Sequence, residues 1–265
     1  MDRNSVAWQG NFCAVVTPFN RDGSIDRPAF QENIKLLDSE GIHGIIVAGD
    51  TGEFWSLSDT ERFEIFELAR NATEKPVIGN ASAMTTSQSI AYARAAKESG
   101  LDGAMITPPF YVRPSLRETE HHYRAVSDAV EIPILFYNIP SRQAVVLSAE
   151  DLVNIVEVDN AVAIKQSAPD FHTVVETLRL VGSKIRILAG HSVERGLACV
   201  VMGADGYVSS VEPQVMGRKA VELYDLAVSG QMDKAREVQM KCVVLDKAIH
   251  GYAGTFPASL KAAMN

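Results

Sequence analysis

Short apolar runs alternate with amphipathic stretches along almost the whole chain. Each run is bounded by polar or turn residues, a pattern that is typical of buried strands. Between the runs, apolar residues recur at helical spacing, as Phe30, Ile34 and Leu37 do. The apolar runs lie at residues 12–17, 44–48, 76–79, 103–107, 132–137, 162–165, 185–189 and 206–208.

Strand–helix units in regular alternation predict an α/β fold with a parallel sheet. Eight such units are enough to close a (β/α)8 TIM barrel, and 265 residues is a typical length for one. We therefore predict a barrel over residues 1–228, with its eighth helix at about 214–227, and a short C-terminal helical extension over residues 229–265. A doubly wound open sheet is the alternative, but the chain lacks the G-x-G-x-x-G opening that would support it.

The composition narrows the class of protein further. Hydrophobic residues make up 46% of the chain and charged residues 22%, as in soluble globular proteins with a large core. A net charge of -8 argues against a nucleic-acid partner. No apolar stretch approaches the roughly eighteen residues of a membrane span, so we expect no membrane partner. Three widely spaced cysteines fit reduced thiols, which indicates a cytoplasmic protein.

Two of the apolar runs end in residues that can carry chemistry. Lys165 closes the run 161–165, and Tyr137 closes the run 133–137. A lysine is rarely buried unless it is paired, and an ammonium in an apolar interior has a lowered pKa. Its neutral amine is the nucleophile that forms a Schiff base with a carbonyl substrate. An ion pair for Lys165 and a core hydrogen bond for the Tyr137 hydroxyl are the structural alternatives.

Other candidate residues also follow predicted strands, where the catalytic groups of such barrels lie. Gly49 and Gly52 flank a loop whose backbone N–H groups could approach an anion, although a plain tight turn explains the glycines equally well. Arg142 could hold a carboxylate with two hydrogen bonds, or could be a solvated surface residue. These ends carry hydroxyl groups and glycines but no set of metal ligands, so we expect neither a metal ion nor a cofactor.

Several short stretches together indicate a family. The chain resembles the dihydrodipicolinate synthase / N-acetylneuraminate lyase family of Schiff-base-forming, pyruvate-dependent barrels. Each stretch alone is a weak signal, but all occur in the order and with the spacing that the family shows. The matching stretches are residues 16–19, 49–53, 107–111, 137–140, 164–167 and 203–206.

The resemblance implies a role for several residues. Lys165 forms an imine with a 2-oxo acid, and Tyr137 relays protons to and from the reacting atoms. Thr51, with its backbone N–H, binds the carboxylate of the 2-oxo acid. The main-chain groups of Val208 and Gly190 line the same pocket. An iminium withdraws electrons, so the adjacent carbon can form an enamine and then add to an aldehyde.

The resemblance also carries expectations about assembly. Tyr111 matches the tyrosine that family members lend across a dimer interface to complete the proton relay of a neighbour. The implied assembly is a homotetramer, built as a dimer of dimers with Tyr111 at the tighter contact. Family members continue with further helix after a segment like 257–261, so we expect the C-terminal extension to be shortened here.

A few positions separate the branches of the family, and this chain mixes their features. Arg142 matches the synthases, where it holds the carboxylate of aspartate semialdehyde, whereas residues 165–167 look more like the neuraminate lyases. Asp50 occupies a position that usually carries a hydroxyl group. Asp50 could join the relay, act as the acid or base of a dehydratase, or cap the following turn. Residues 54–57 are similar to the sugar-acid dehydratases.

These observations favour a synthase that condenses pyruvate with an aldehyde such as aspartate semialdehyde. The first alternative is a 2-keto-3-deoxy sugar-acid aldolase or dehydratase, or an enzyme like N-acetylneuraminate lyase. The second alternative belongs to a different class: a catalytically silent barrel that binds a 2-oxo acid. The intact pair of Lys165 and Tyr137 argues against the silent barrel.

Overall fold

The computed structural model describes residues 1–251 and 254–264. Its eight strands run parallel and close into a barrel in chain order, which confirms the predicted fold. Each predicted run overlaps one strand. The largest difference is at the first strand, where the apolar run continues through buried residues beyond the last paired position. The strands are β1 Gly10–Ala14, β2 Gly44–Val47, β3 Val77–Asn80, β4 Gly103–Ile106, β5 Ile134–Asn138, β6 Ala161–Gln166, β7 Arg186–Ala189 and β8 Gly206–Ser209.

Helices follow the strands and cover the barrel. Ser58, Ser115 and Ser148 each form a capping box with the residue three positions later, so three of the helices begin at a serine whose side chain accepts from a free backbone N–H. The first seven helices are α1 Arg27–Ser39, α2 Asp59–Arg70, α3 Thr86–Glu98, α4 Leu116–Ala129, α5 Ala149–Ile155, α6 Phe171–Val181 and α7 Ser192–Val201.

The prediction of one continuous helix after β8 is wrong. Three short helices lie there instead: α8 Val211–Met216, α9 Arg218–Val221 and α10 Leu223–Val228. Gly217 separates the first two with φ of 60° and ψ of -142°, which is outside the helical region. A Cβ atom at this position would lie 2.5 Å from Oε1 of Glu40, so the packing favours glycine there.

The residues that face the barrel interior form one cluster, distinct from the layer between barrel and helices. Phe12, Ile78 and Leu188 belong to the interior cluster, while their neighbours Cys13 and Ile187 pack in the outer layer. This alternation follows from the two-residue period of a strand. The interior cluster also includes Tyr137, so the apolar packing reaches the carboxyl ends of the strands.

Two further helices, α11 Met232–His250 and α12 Phe256–Met264, complete the described chain. The second of them reaches the mouth of the barrel, the end at which the strands have their carboxyl termini. There the Lys261 ammonium lies 2.5 Å from Glu53 Oε1 and donates to the carbonyl of Thr17 at 3.3 Å. Within residues 1–251 and 254–264, none of the helices is long and apolar enough to cross a membrane.

The closure between β1 and β8 depends on a close approach of two glycines. Gly10 and Gly206 are register partners, and a Cβ atom at position 206 would lie 2.0 Å from the carbonyl oxygen of Gly10. We expect Gly206→Ala to lower the free energy of unfolding by roughly 3 kcal/mol, because backbone atoms must move. Gly23→Ala is the control, since its φ of 87° is strained but its Cβ meets no atom. If chemical denaturation shows that both variants lose the same free energy of unfolding, this steric explanation is wrong.

Candidate active site

A lysine and a tyrosine lie side by side at the mouth of the barrel. Tyr137 on β5 and Lys165 on β6 are register partners, and both face the interior. The Lys165 Nζ atom lies 4.0 Å from the centroid of the Tyr137 ring. Lys165 is 9% exposed and Tyr137 is 5% exposed. The structure therefore places the two predicted residues in contact and largely out of water.

Burial changes the protonation of Lys165. Loss of hydration lowers its pKa from 10.5 to about 8, while the charge of Asp50 acts in the opposite direction. Desolvation therefore dominates over Coulomb attraction at this site. Of the ion pairs formed within the described residues, none includes Lys165. The structural alternative, a lysine buried only because it is ion-paired, does not describe this side chain.

The same environment acts on Tyr137 in the opposite sense. Burial, and after it the charge of Asp50, raises the pKa of Tyr137 well above its ordinary value. The phenol is therefore protonated at neutral pH and can donate a hydrogen bond. An amine that gives up its proton easily thus lies beside a hydroxyl group that keeps its proton.

Asp50 faces this pair instead of closing the turn with its side chain. Burial raises the pKa of the Asp50 carboxyl group, and the charges of Lys165 and Arg142 counteract the shift. The turn itself is closed by the main chain, because the carbonyl of Asp50 accepts from the N–H of Glu53 at 3.1 Å. The carboxyl group is thus free to act within the cavity, which disfavours the capping role. Arg142 lies on the loop after β5, exposed on its outer side but lining the same cavity.

The loop after β2 holds Thr51 in place. Ala48 has a left-handed φ of 51°, and Asn80 stabilises that conformation by donating from Nδ2 to the Ala48 carbonyl at 2.8 Å. On the other side, the Thr17 hydroxyl donates to the carbonyl of Gly52 at 2.8 Å. Among the hydrogen bonds of residues 1–251 and 254–264, none uses the N–H of Thr51 as donor. That N–H remains available to an anion.

Strained backbone gathers at the mouth of the barrel. The four non-glycine residues with positive φ in the described part of the chain all lie in loops that follow strands. Such conformations are costly, and in proteins they cluster at functional sites. They are Ala48 and Glu53 after β2, Tyr111 after β4 and His191 after β7.

Two further predicted residues border the cavity from β7 and β8. Val208 lines the cavity that contains Lys165 and Thr51. Gly190 lies against Ser167, which lines the same cavity, and a Cβ atom at position 190 would be only 1.9 Å from the Ser167 hydroxyl oxygen. Only glycine fits this position without displacing the serine.

Tyr111 is the predicted site residue that lies apart from the others. Its side chain is 91% exposed, with a backbone φ of 74°, and it is not among the residues that line the cavity around Lys165. Trp55, Met84 and Val112, which lie on neighbouring loops, are also more than half exposed. The loops after β2, β3 and β4 thus present an apolar surface to the outside.

The cavity extends from Lys165 in two directions, and the sequence indicated little of either. The first extension, the β2–β5 cleft, is lined by apolar residues, among them Phe54, Met105 and Phe110, and by a similar number of polar ones. The second, the β7–β8 cleft, is polar. Its titratable side chains are His191, Glu194, Glu212, Asp246 and His250.

Glu212 is the most deeply buried of these titratable side chains, and the sequence analysis missed it. It is 3% exposed, and burial raises its pKa. Its carboxyl group accepts from the Ser192 hydroxyl at 2.6 Å and from the N–H of Ser210 at 3.2 Å. Glu212 therefore joins the loops after β7 and β8. The only signal in the sequence is its position three residues after Ser209, the last residue of β8.

No group of three or more histidine, cysteine, aspartate or glutamate side chains in the described residues is arranged to hold a metal ion. The mouth of the barrel carries the amine, the phenol, the carboxyl groups and the guanidinium described above. These groups can move protons and form a covalent imine.

The closed barrel, with its reactive groups at the carboxyl ends of the strands, defines the class of (β/α)8-barrel enzymes. The profile of the Dihydrodipicolinate synthetase family matches residues 7–265, and the chain belongs to this family. The predicted family is thereby confirmed, as is the prediction of an enzyme of the synthase type.

Known relatives agree in sequence and in structure. The 4-hydroxy-tetrahydrodipicolinate synthase of Methanothrix thermoacetophila is 32% identical over 97% of this chain and 86% of the relative. The crystal structure of dihydrodipicolinate synthase from Aquifex aeolicus has a TM-score of 0.89 and 32% identity, covering 97% of this chain and 87% of that one. The chloride-inhibited synthase from Acinetobacter baumannii, complexed with pyruvate, has a TM-score of 0.88 and 27% identity, covering 94% and 86%.

The lowered pKa of Lys165 predicts how the rate of imine formation depends on pH. The rate at which pyruvate and borohydride label the protein should rise with pH around an apparent pKa of about 8, as the amine loses its proton. Asp50→Asn should move this profile to lower pH, because the Asp50 charge favours the ammonium form. Asp233→Asn, at a side chain 97% exposed, is the control and should leave the profile unchanged. A shift of the Asp50→Asn profile to higher pH would contradict the assignment.

Proposed function

We propose that this chain is a Schiff-base-forming synthase that condenses pyruvate, or a closely related 2-oxo acid, with an aldehyde. The observation that carries the proposal is the desolvated Lys165 beside a protonated Tyr137. The names of the relatives support it, and so does the pyruvate complex of the Acinetobacter baumannii enzyme. A silent 2-oxo-acid-binding barrel would have no need for an amine with a lowered pKa.

In the first half of the reaction, the neutral amine of Lys165 attacks the carbonyl carbon of pyruvate. The oxygen takes one proton from the attacking nitrogen and one from Tyr137 and leaves as water, and an iminium remains. The free N–H of Thr51 binds the pyruvate carboxylate, and the main-chain groups of Val208 and Gly190 form the opposite wall. Loss of a proton from the methyl group then gives the enamine.

In the second half, the enamine carbon attacks the aldehyde. A carbon–carbon bond forms, and the aldehyde oxygen takes up a proton that Tyr137 relays. Water then hydrolyses the iminium and releases Lys165. Aspartate semialdehyde is our leading aldehyde, because Arg142 lies at the cavity wall where it can hold the carboxylate of this substrate.

A 2-keto-3-deoxy sugar-acid aldolase or dehydratase remains the second candidate. Asp50 favours it, because a carboxyl group with a raised pKa that faces the cavity can act as a general acid. An enzyme like N-acetylneuraminate lyase would use the same imine in the cleavage direction. Turnover of keto-deoxy sugar acids, without condensation of any aldehyde, would favour this second candidate.

The proposed assembly is a homotetramer in which Tyr111 reaches a neighbouring site. Its exposure and the apolar surface around it support a contact between two copies of this chain. In this arrangement, Tyr111 of one protomer continues the proton relay of Tyr137 in the other. The three cysteines are free and buried, which supports the cytoplasmic location proposed with the function.

Trapping of the imine tests the central step. Incubation with pyruvate and borohydride should attach one reduced pyruvate to the peptide that contains Lys165, as measured by mass spectrometry. Lys165→Met should abolish the adduct, because it removes the amine. Lys241→Met removes an exposed lysine and is the matched control. If the wild-type protein forms no adduct on Lys165, the proposed mechanism is wrong. The catalytically silent barrel is then the better interpretation.

Mixing two inactive variants tests the shared site. Tyr111→Phe and Tyr137→Phe should each lower kcat by about 100-fold or more, because each interrupts proton transfer. After reversible dissociation and mixing of the two variants, activity should recover to about a quarter of wild type. About half of the dimers are then mixed, and each mixed dimer has one intact site of two. If Tyr111 acts within its own chain, mixing restores no activity.

A further inference from the structure

The wall of the proposed 2-oxo-acid pocket opposite Thr51 is formed by main chain. Gly190 follows β7, and Val208 lies in β8, one residue before its end. Main-chain groups bind a ligand well only where the backbone is already held in the right geometry. The residues that fix the two turns after β7 and β8 therefore influence how tightly this pocket binds.

The turn after β7 is strained and closely packed. His191 has a left-handed φ of 53° without the conformational freedom of a glycine. Gly190 donates from its N–H to the carbonyl of Gln166 at 2.8 Å, and it lies too close to Ser167 to carry a Cβ atom. These contacts hold the turn from the side of β6. A strained conformation persists only where the surrounding structure fixes it, so contacts on the other side of the turn are needed as well.

The carboxyl group of Glu212 provides those contacts. Its Oε1 atom accepts from the hydroxyl of Ser192, the residue after His191, at 2.6 Å. Its Oε2 atom accepts from the N–H of Ser210, two residues after Val208, at 3.2 Å. Glu212 and Ser192 are each 3% exposed, so water cannot readily replace these hydrogen bonds. One buried side chain thus joins the turn after β7 to the turn after β8.

A second buried side chain holds the start of α7 from the C-terminal helices. Gln239 on α11 donates to the carbonyls of Ser192 at 3.0 Å and Val193 at 2.7 Å. Its amide oxygen accepts from the N–H of Leu197 at 2.9 Å. Gln239 therefore fixes the backbone at the start of α7, and Glu212 adds the connection to the turn after β8.

The contacts of Glu212 suit it to hold backbone in place. Each of its carboxyl oxygens already accepts from a donor of the protein. The charge that opposes the desolvation of Lys165 belongs to Asp50 and not to Glu212. Lys165 and Tyr137, which form the imine and move its protons in the proposed mechanism, are aligned by the register of β5 and β6. The reacting groups and the pocket wall are therefore fixed by separate sets of contacts.

We propose that Glu212 is a positioning residue for the 2-oxo acid. It joins the turns after β7 and β8, so that the main chain at Gly190 and Val208 meets the ligand in one fixed geometry. This inference rests on the proposed function and adds to it a residue that acts through the backbone. Loss of the Glu212 hydrogen bonds weakens the binding of pyruvate, while imine formation at Lys165 proceeds once pyruvate is bound.

The experiment measures the rate at which pyruvate and borohydride label Lys165 as the pyruvate concentration increases. Glu212→Leu, similar in size but without hydrogen-bonding atoms, should raise the half-saturating pyruvate concentration about tenfold, because two buried donors lose their acceptor. Glu212→Gln should stay within about threefold of wild type, because its amide can accept from the Ser210 N–H and donate to the Ser192 hydroxyl oxygen. The maximal rate should change less than about threefold in both variants.

Two further variants separate positioning from a loss of structure. Glu237→Leu changes a glutamate that is 67% exposed on α11 and should leave the half-saturating concentration unchanged. A variant that fails to fold would instead lose the maximal rate and its thermal unfolding transition. If Glu212→Leu behaves in this way, Ser192→Ala tests the inference in its place. Ser192→Ala removes only the hydroxyl and should raise the half-saturating concentration about threefold.

A double variant tests whether the two side chains act through their shared hydrogen bond. Adding Ser192→Ala to Glu212→Leu should not raise the half-saturating concentration further, since residues that form one hydrogen bond do not contribute additively. If the two effects multiply, Glu212 does not act through the turn after β7 and the inference is wrong.

The pH dependence of labelling distinguishes position from charge. In Glu212→Gln, the apparent pKa of labelling should remain at the wild-type value of about 8, because Asp50 is the charge that acts on Lys165. A shifted value would mean that Glu212 acts on Lys165 through its charge, which contradicts the inference.

The outcomes separate the two proposals. If the wild type is labelled and Glu212→Leu, while folded, needs no more pyruvate than the wild type, the inference is wrong and the proposed function stands. The same conclusion follows if Glu212→Gln is as impaired as Glu212→Leu, because the hydrogen bonds are then not the cause. If Lys165 is not labelled in the wild type, the proposed function and this inference fail together.

Discussion

The register between β5 and β6 is the constraint on which the site depends. It places Tyr137 beside Lys165 and turns both side chains into the barrel. A shift of one residue would turn them toward the helices. Because both groups are buried in the same place, a single physical cause acts on them in opposite directions. Desolvation disfavours the charged form of each, so it lowers the pKa of the ammonium and raises the pKa of the phenol.

The loops at the mouth of the barrel place polar side chains and strained backbone next to the apolar interior of the barrel. The left-handed conformation of Ala48 is maintained by Asn80, whose amide nitrogen donates to the Ala48 carbonyl while its amide oxygen accepts from the N–H of Ser82. His191 is left-handed as well, and Glu212 fixes the next residue through the Ser192 hydroxyl. Two buried polar side chains, Asn80 and Glu212, thus hold the backbone of these loops in place.

The sequence predicted the parts of this molecule that depend on local pattern. Strand number and closure follow from apolar runs, and Lys165 and Tyr137 could be identified because each ends such a run. The break at Gly217 was not predicted, because the apolar pattern does not reveal the non-helical backbone conformation that this glycine adopts. The β2–β5 cleft could not be predicted either, since it combines side chains from four strand ends. The orientation of Asp50 was left open because its local sequence permits both a cap and a free carboxyl group.

Asp50 has opposing effects on the groups around it. Its charge keeps a proton on Lys165 and so works against the nucleophile, yet the pKa of Lys165 is still lowered to about 8 because desolvation is the larger effect. Burial also weakens the charge of Asp50 itself by raising its pKa. A hydroxyl residue would leave the amine more readily neutral, but it could not act as an acid beside Tyr137. Asp50 therefore influences the protonation of Lys165 from the point where the two clefts meet.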